Sequence, residues 1–527
     1  MKLTAAHIHR FREDILSCNV AKVNAFLDAQ KTFVYTTKTL VGFHDALLLL
    51  MAYPPTKKLF ERADDALNNY YLVTTNFIDK NPKAEEELVN TGLSGTEVQG
   101  AFTFPLLNAL RKASDSCLYL HSYSEDAAPA GEVLKYFLPA SEFETLGMDV
   151  ANDELTALLL GEEDQLPQLL SCMESSSVRA DLRDQLFANL KLFAGIQLDG
   201  SIPDRSTARG LKGNVHVHSE ILKKVDPLEV VNRKLPTPAK LTRMQKEKLI
   251  LNSMCMLATL NRETDPVTVC DHESITVFHL ERGVTVALFS MEANRRMPLE
   301  SYIGYVLFKN GLPMAYGGSW IFGNRALFGI NIFEPYRGGE SSLTILQLLR
   351  VYRQHYGVDA FSVEPYQFGK DNPEGIQSGA YWFYYKMGFR SDDNTLVALA
   401  EKEFEKMRNK KSFRSSESVL LRFTDSRVTW KIDPRAKLFP DPSELSLQIT
   451  TCVREHYAGN RAEAIKAAAS IFRIKRTDQC ADHLLLFLSR RKHHATMGSA
   501  IVKLAKLKRE NEQTYNSFLK SLVVDYQ

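Results

Sequence analysis

The sequence predicts an α+β protein, with a central mixed-sheet domain flanked by helical N- and C-terminal domains. Three observations lead there. Residues before about 240 and after about 433 repeat apolar side chains at spacings of three and four, the period of a half-buried helix. Between them lie several short runs rich in β-branched and aromatic residues, separated by turn signals. The last of these runs follow the order strand, loop, helix, strand, which requires a crossover and hence one parallel pair. A chain of 527 residues exceeds what one core holds, and the divisions fall at 1–240, 241–432 and 433–527.

The N-terminal part is read as helical throughout. Phe11, Ile15 and Leu16, then Val23, Phe26 and Leu27, mark packing faces, and Ser94-Gly95-Thr96-Glu97 has the pattern of a capping box. Asp153–Leu170 reads as a helical pair, Arg233–Lys240 with its two prolines as a linker, and Thr242–Leu260 as a basic helix. Strands follow at Ile275–His279, Val284–Phe289, Tyr302–Phe308, Met314–Phe322 and Ala326–Phe333. Asn310-Gly311 marks a tight hairpin, because both turn positions need positive φ. A helix at Ser342–His355, a strand at Ala360–Val363 and a helix ending at Met387-Gly388-Phe389 close the unit. Leu396–Lys410 reads as a charged helix and Ser418–Trp430 as two further strands. After a second linker at Asp433–Ser443, Leu445–His456 and Ala462–Ile474 form an αα-hairpin, and Tyr515, Phe518, Leu519 and Leu522 face the core from the last helix.

Composition narrows the class. A hydrophobic fraction of 44% supports large cores, and a net charge of +2 gives no overall attraction to nucleic acid or anionic membrane. The seven cysteines are scattered, odd in number and contain no C-x-x-C pair, which argues against a disulfide framework and a zinc ribbon and for a reducing compartment. Ala46–Ala52, the longest greasy run, ends at Pro54-Pro55, far short of a membrane span. The expectation is a cytoplasmic protein with no membrane contact.

Two segments carry chemistry. Phe333-Glu334-Pro335-Tyr336-Arg337-Gly338-Gly339-Glu340-Ser341-Ser342-Leu343 lies between a strand and a helix. Free N–H groups and the dipole at a helix start attract phosphate, and glycines let an anion approach the backbone. Gln377-Ser378-Gly379-Ala380-Tyr381-Trp382-Phe383-Tyr384-Tyr385-Lys386-Met387-Gly388-Phe389 follows about forty residues on. Together and in this order they resemble the GNAT superfamily of N-acyltransferases, with its R-x-x-G-x-G/A acyl-CoA loop and its N-x-x-A-x-x-x-Y-x-x-x-G-F helix. The resemblance covers little more than a fifth of the chain. It implies acetyl-CoA or another acyl-CoA as cofactor, held at Arg337, Gly338, Gly339, Ser341, Ser342 and Gln377. It also implies that Tyr384 protonates the leaving thiolate. Glu364, just after a strand, is placed to accept a proton from an attacking amine. Two departures stand out: Glu340 occupies the first glycine position of the loop, with a negative charge where pyrophosphate would sit, and Gln377 replaces asparagine.

Each motif also has a plainer explanation. The loop reads equally as a turn plus a capped helix, Tyr384 as a core aromatic, and Glu364 as a solvated strand-end carboxylate. Asn331 and Glu334 are weaker candidates of the same kind as Glu364. His216 and His218 would share one face of a strand, but no third ligand is near, so no metal is assigned. Arg490-Arg491-Lys492-His493-His494, with Lys503, Lys506, Lys508 and Arg509, forms a basic patch that would suit an acidic partner such as an acyl carrier protein or RNA. The leading expectation is transfer of an acyl group from a thioester, on CoA or on a carrier, to an amine of unknown acceptor. The alternative is a catalytically inactive GNAT-like domain in a partner-binding or scaffold protein, and Glu340 favours it.

Overall fold

The computed structural model describes residues 1–143, 150–162, 165–211, 213–490 and 497–524. Its centre is an eight-stranded mixed sheet. The strands are β4 (Thr276–His279), β5 (Val284–Ser290), β6 (Ser301–Lys309), β7 (Leu312–Phe322), β8 (Arg325–Ile332), β9 (Ala360–Val363), β10 (Arg390–Ser391) and β11 (Val428–Lys431). They lie in the order β10-β11-β9-β8-β7-β6-β5-β4. Each pair is antiparallel except β8 and β9, the parallel pair that the crossover through the helix Ser341–Tyr356 demands. Long apolar runs such as Ile303–Phe308 fit this position, since most of β5, β6 and β7 is buried.

The expectation of an all-helical N-terminal part is corrected. Beside its helices it carries a three-stranded antiparallel sheet in the order β1-β3-β2, from β1 (Glu97–Gly100), β2 (Leu118–Tyr123) and β3 (Leu192–Gln197). Ser94–Glu97 is not a capping box. Ser94 Oγ donates to Asp204, and Glu97 opens β1, so tertiary bonds take the groups that a helix start would have used. Ser418–Trp430 likewise supplies one strand, β11, preceded by the helix Glu417–Phe423. The expected helix through Gln377 and Phe389 is broken at Gly379, whose φ of 64° separates Pro373–Ser378 from Ala380–Met387.

The two ends of the central sheet hold different partners. At the β6–β7 hairpin, Asn310 (φ 48°) and Gly311 (φ 82°) form the tight turn read from the sequence. The Asn310 amide donates to Met51 O, Ala52 O and His216 O, so the turn also caps the C-terminal end of the helix Thr37–Ala52. At the opposite end, the Asn516 amide donates to Gly323 O and Tyr356 O, and Lys508 reaches Ser301 and Glu512. One continuous apolar core runs from Leu3 to Ile432, and a second gathers Phe322 with residues 439–519. Arg233–Lys240 is no free spacer. Arg350, 1% exposed, donates to the carbonyls of Arg233 and Lys234 and pairs with Glu281.

Cys18, Cys172, Cys255, Cys270 and Cys480 are free thiols. No described helix is long and apolar enough to cross a membrane.

Burial also sets an acid limit on the C-terminal core. Desolvation pushes the pKa of His483, packed on Tyr515, down to about 4. The unfolded chain therefore binds a proton that the folded chain refuses between about pH 6.5 and 4, and stability falls as pH falls through that window. Full protonation of the unfolded chain corresponds to about 3 kcal/mol. Urea unfolding from pH 7 to 4 should show this loss, and His483→Gln should flatten it. An unchanged slope in the variant would remove His483 from the cause.

Candidate functional site

β8 and β9 hydrogen-bond through only three register pairs, Arg325–Ala360, Ala326–Phe361 and Leu327–Ser362. Beyond Leu327 the two strands are no longer paired. The fork is not empty. Gln367, in the 3-10 turn Pro365–Phe368 that follows β9, lies over Gly329 and accepts a hydrogen bond from Ile330 N (3.3 Å). This side chain uses a β8 donor that strand separation had freed.

The loop that the resemblance assigns to coenzyme A runs from β8 through the 3-10 turn Glu334–Tyr336 to Glu340, the N-cap of the helix Ser341–Tyr356. Its carboxylate does not cap that helix and does not face the helix N–H groups. It turns inward and is 1% exposed. Lys309 Nζ donates to it at 2.8 Å and Arg282 Nε at 2.8 Å, and it also accepts from Leu222 N at 3.0 Å. The expected clash between this charge and a bound phosphate is therefore corrected: two cations and an amide already neutralise it. Burial opposes ionisation of Glu340, and the neighbouring His218, Arg282 and Lys309 overcome it, holding the carboxyl far below the usual carboxylate range. Burial pushes Lys309 down to about 8, against the pull of Glu340.

The N-terminal region covers the same loop. Glu340 N–H donates to Tyr53 Oη (3.0 Å), and the Tyr53 ring lies where a Cβ on Gly339 would fall, within 2.4 Å. Only glycine admits that ring. Lys223 donates to Gly338 O, and Arg12 donates to Pro335 O at 3.0 Å. Arg337 pairs with Glu374 at the surface, while Ser341 and Ser342 are half-buried at the first helical turn. Gln377 is exposed on the short helix Pro373–Ser378, the helix whose Glu374 pairs with Arg337.

Tyr384 is 4% exposed and sits among aromatic rings, with Phe389 at 5.6 Å, Phe368 at 6.3 Å and Phe328 of β8 at 6.5 Å between centroids. Burial raises its phenol well above the ordinary value. Glu364 is exposed at the end of β9, on the open side of the fork. Asn331 is half-buried on β8 opposite Tyr316, and Glu334 is exposed in the loop.

The histidine pair is in irregular chain, not on a strand. His218 is fully buried, with its ring 4.6 Å from that of His216 and 5.3 Å from that of Tyr53. Its Nε2 lies 3.7 Å from Glu340, and neither ring nitrogen has a hydrogen-bond partner. Among the described residues no group of three or more His, Cys, Asp or Glu is arranged to hold a metal. Of the C-terminal basic patch, Arg491–His494 lie outside the described residues. Lys508 does not belong to it, being buried against Glu512 and Ser301. Lys506 and Arg509 instead line a surface cleft with Arg473, Lys475 and Arg476.

Sequence reading missed Tyr53, Arg282, Lys309 and Gln367. Each is an ordinary residue of its local segment, and only long-range packing brings it to the loop or the fork. Comparison with protein-family models, with curated proteins and with solved structures finds no match.

Two measurements check the buried cluster. Glu340→Gln leaves Lys309 and Arg282 facing an apolar interior without a counter-charge and should cost about 3–5 kcal/mol in unfolding experiments. A loss within ~0.5 kcal/mol would show the cluster to be solvated in solution. The second concerns pH. Because the folded pKa of Lys309 is about 8 against 10.5 for the free side chain, the unfolded chain binds more protons between these values. Its contribution to stability therefore rises with pH across that window. The stability difference between the natural protein and Lys309→Met should grow in favour of the natural protein from pH 8 to 9.5, and a constant difference would refute the assignment.

Proposed function

We propose that the chain is a GNAT-like protein whose coenzyme loop is closed by its own N-terminal region, and that it acts by binding a partner, not by drawing acyl groups from free acyl-CoA. The strand order, the single parallel pair and the fork between β8 and β9 support the GNAT-like reading. The observation that carries the binding reading is Glu340, buried and neutralised, with Tyr53 seated on Gly339. A pyrophosphate entering the loop would have to displace a ring packed in a core and break the hydrogen bond from Glu340 N–H to Tyr53 Oη. Both changes are costly, because buried polar groups that lose partners forfeit their full desolvation energy.

Acyl transfer to an amine is the second reading, favoured by one observation. Glu364 is exposed where the strands diverge, within a region that would otherwise take the reacting ends of donor and acceptor. In that reading Glu364 receives the amine proton and Tyr384, once exposed by a movement of the 3-10 turn Pro365–Phe368, donates to the departing thiolate. The donor would then be a carrier-bound thioester that approaches the fork without using the closed loop.

Calorimetric titration of the full chain with acetyl-CoA and longer acyl-CoAs separates the two. We expect Kd weaker than about 1 mM, a binding free energy of less than about 4 kcal/mol. Glu340→Gly should bring no gain, because it removes a counter-charge and leaves Tyr53 in place. Micromolar binding by the natural protein overturns the binding reading. Turnover that falls in Tyr384→Phe with donor affinity unchanged would establish the enzymatic one.

A further inference from the structure

A cleft of about 660 Å³ lies away from the closed loop, between the small N-terminal sheet and the segment that leads into the central one. Its walls are apolar: Phe102, Pro105, Phe187, Phe193, Val269 and Met291. Glu263 stands in this lining and is held in place by neutral groups alone. Its carboxylate accepts from Thr103 Oγ (2.5 Å), Thr103 N (3.3 Å) and Thr268 Oγ (3.0 Å). Among the described residues no lysine or arginine pairs with it. The two cations on the lining are already engaged, Arg295 with Asp184 (2.6 Å) and Lys191 with Asp126. Asp265, also on the lining, adds a second negative charge close to Glu263 and likewise has no ion-pair partner among the described residues.

A carboxylate has about four lone-pair sites, and three donors leave one unfilled. A half-buried carboxylate whose partners are all neutral gains from an added cation. We infer that this cleft binds a small organic amine, its ammonium group on Glu263 and its apolar body against Phe102, Phe187 and Phe193. The volume is that of an ordinary small-molecule site, and apolar walls with a few placed polar groups are how such sites select orientation. A carboxylate or phosphate ligand would meet Glu263 and Asp265 as like charges. Burial and the charge of Asp265 raise the Glu263 carboxyl above its ordinary range, so amine binding should weaken as acid supplies the proton that competes with the ligand.

Titration of the full chain with hexylamine, hexanol and hexanoate tests the site, because the three share a tail and differ in charge. Hexylamine should bind, with hexanol and hexanoate at least about tenfold weaker, and Glu263→Gln should lower hexylamine affinity by at least about tenfold. Glu263 also tethers Thr103 at the start of the helix Phe104–Ala113, so the folding of that variant is checked by its unfolding midpoint, and Phe193→Ala serves beside it. Phe193 is already 39% exposed, and its loss should weaken hexylamine several-fold while leaving methylamine unchanged. Equal binding of the three compounds, no hexylamine binding, or full affinity in either folded variant overturns the inference. The result is independent of acyl-CoA binding, since the cleft shares no lining residue with the closed loop.

Discussion

The carboxylate of Glu340 is the constraint on which much of the remaining arrangement depends. A charge with no solvent exposure survives only if cations and donors reach it. Those donors come from three separate parts of the chain: Lys309 at the end of β6, Arg282 in the turn before β5, and the amide of Leu222 in the N-terminal region. Satisfying one side chain thus fixes the relative positions of the sheet, the helix Ser341–Tyr356 and the N-terminal segment around 216–223. Arg282 adopts a positive φ of 58° in the turn Glu281–Gly283, a conformation disfavoured for a side chain with a Cβ, and its two bonds to Glu340 and Glu220 O compensate for that strain.

The same end of the sheet makes the hairpin turn serve two roles. Asn310 is chosen for its tolerance of positive φ, and its amide then completes the carbonyls at the end of the helix Thr37–Ala52. Tyr53, the residue after that helix, is carried directly onto Gly339. The covering of the loop at Gly338–Glu340 is therefore a consequence of how the N-terminal region docks, not of the loop's own conformation. At the opposite end, Asn516 and Lys508 tie the C-terminal helices to Gly323 and Ser301, and Arg296 donates to the carbonyls of Lys508 and Arg509, so that polar groups pair across the junction. Both junctions are specific because an unpaired member of either network would be costly.

The fork between β8 and β9 shows two demands competing for one space. Splayed strands leave backbone donors that need partners, and a ligand could supply them. Here Gln367 supplies one, and Phe368 packs on Tyr384. Filling the fork with the chain's own side chains partners a donor that the parted strands leave free and takes up the room between them. Tyr384 has the right spacing for chemistry but lies in an aromatic cluster, where the packing of Phe328, Phe368 and Phe389 is reason enough for its presence.

How much was legible in the sequence follows from how local each signal is. The central strands, the Asn310-Gly311 turn, the crossover helix and the single parallel pair were all readable, because period-two patterning, positive-φ turn residues and short loops act within a few residues. The N-terminal sheet was not. Its strands at 97–100, 118–123 and 192–197 are short, and β3 pairs with both of the others from some seventy to a hundred residues away, so no local pattern announced them. In the loop, the sequence by itself determined that a glutamate stands at a helix start where glycine would suit a phosphate. Its local geometry suggested a carboxylate facing the helix N–H groups. Only the tertiary structure decided that it faces Lys309 and Arg282 instead, because electrostatic attraction in a dry interior outweighs a cap at a partly hydrated helix end, and the partners lie 31 and 58 residues away along the chain.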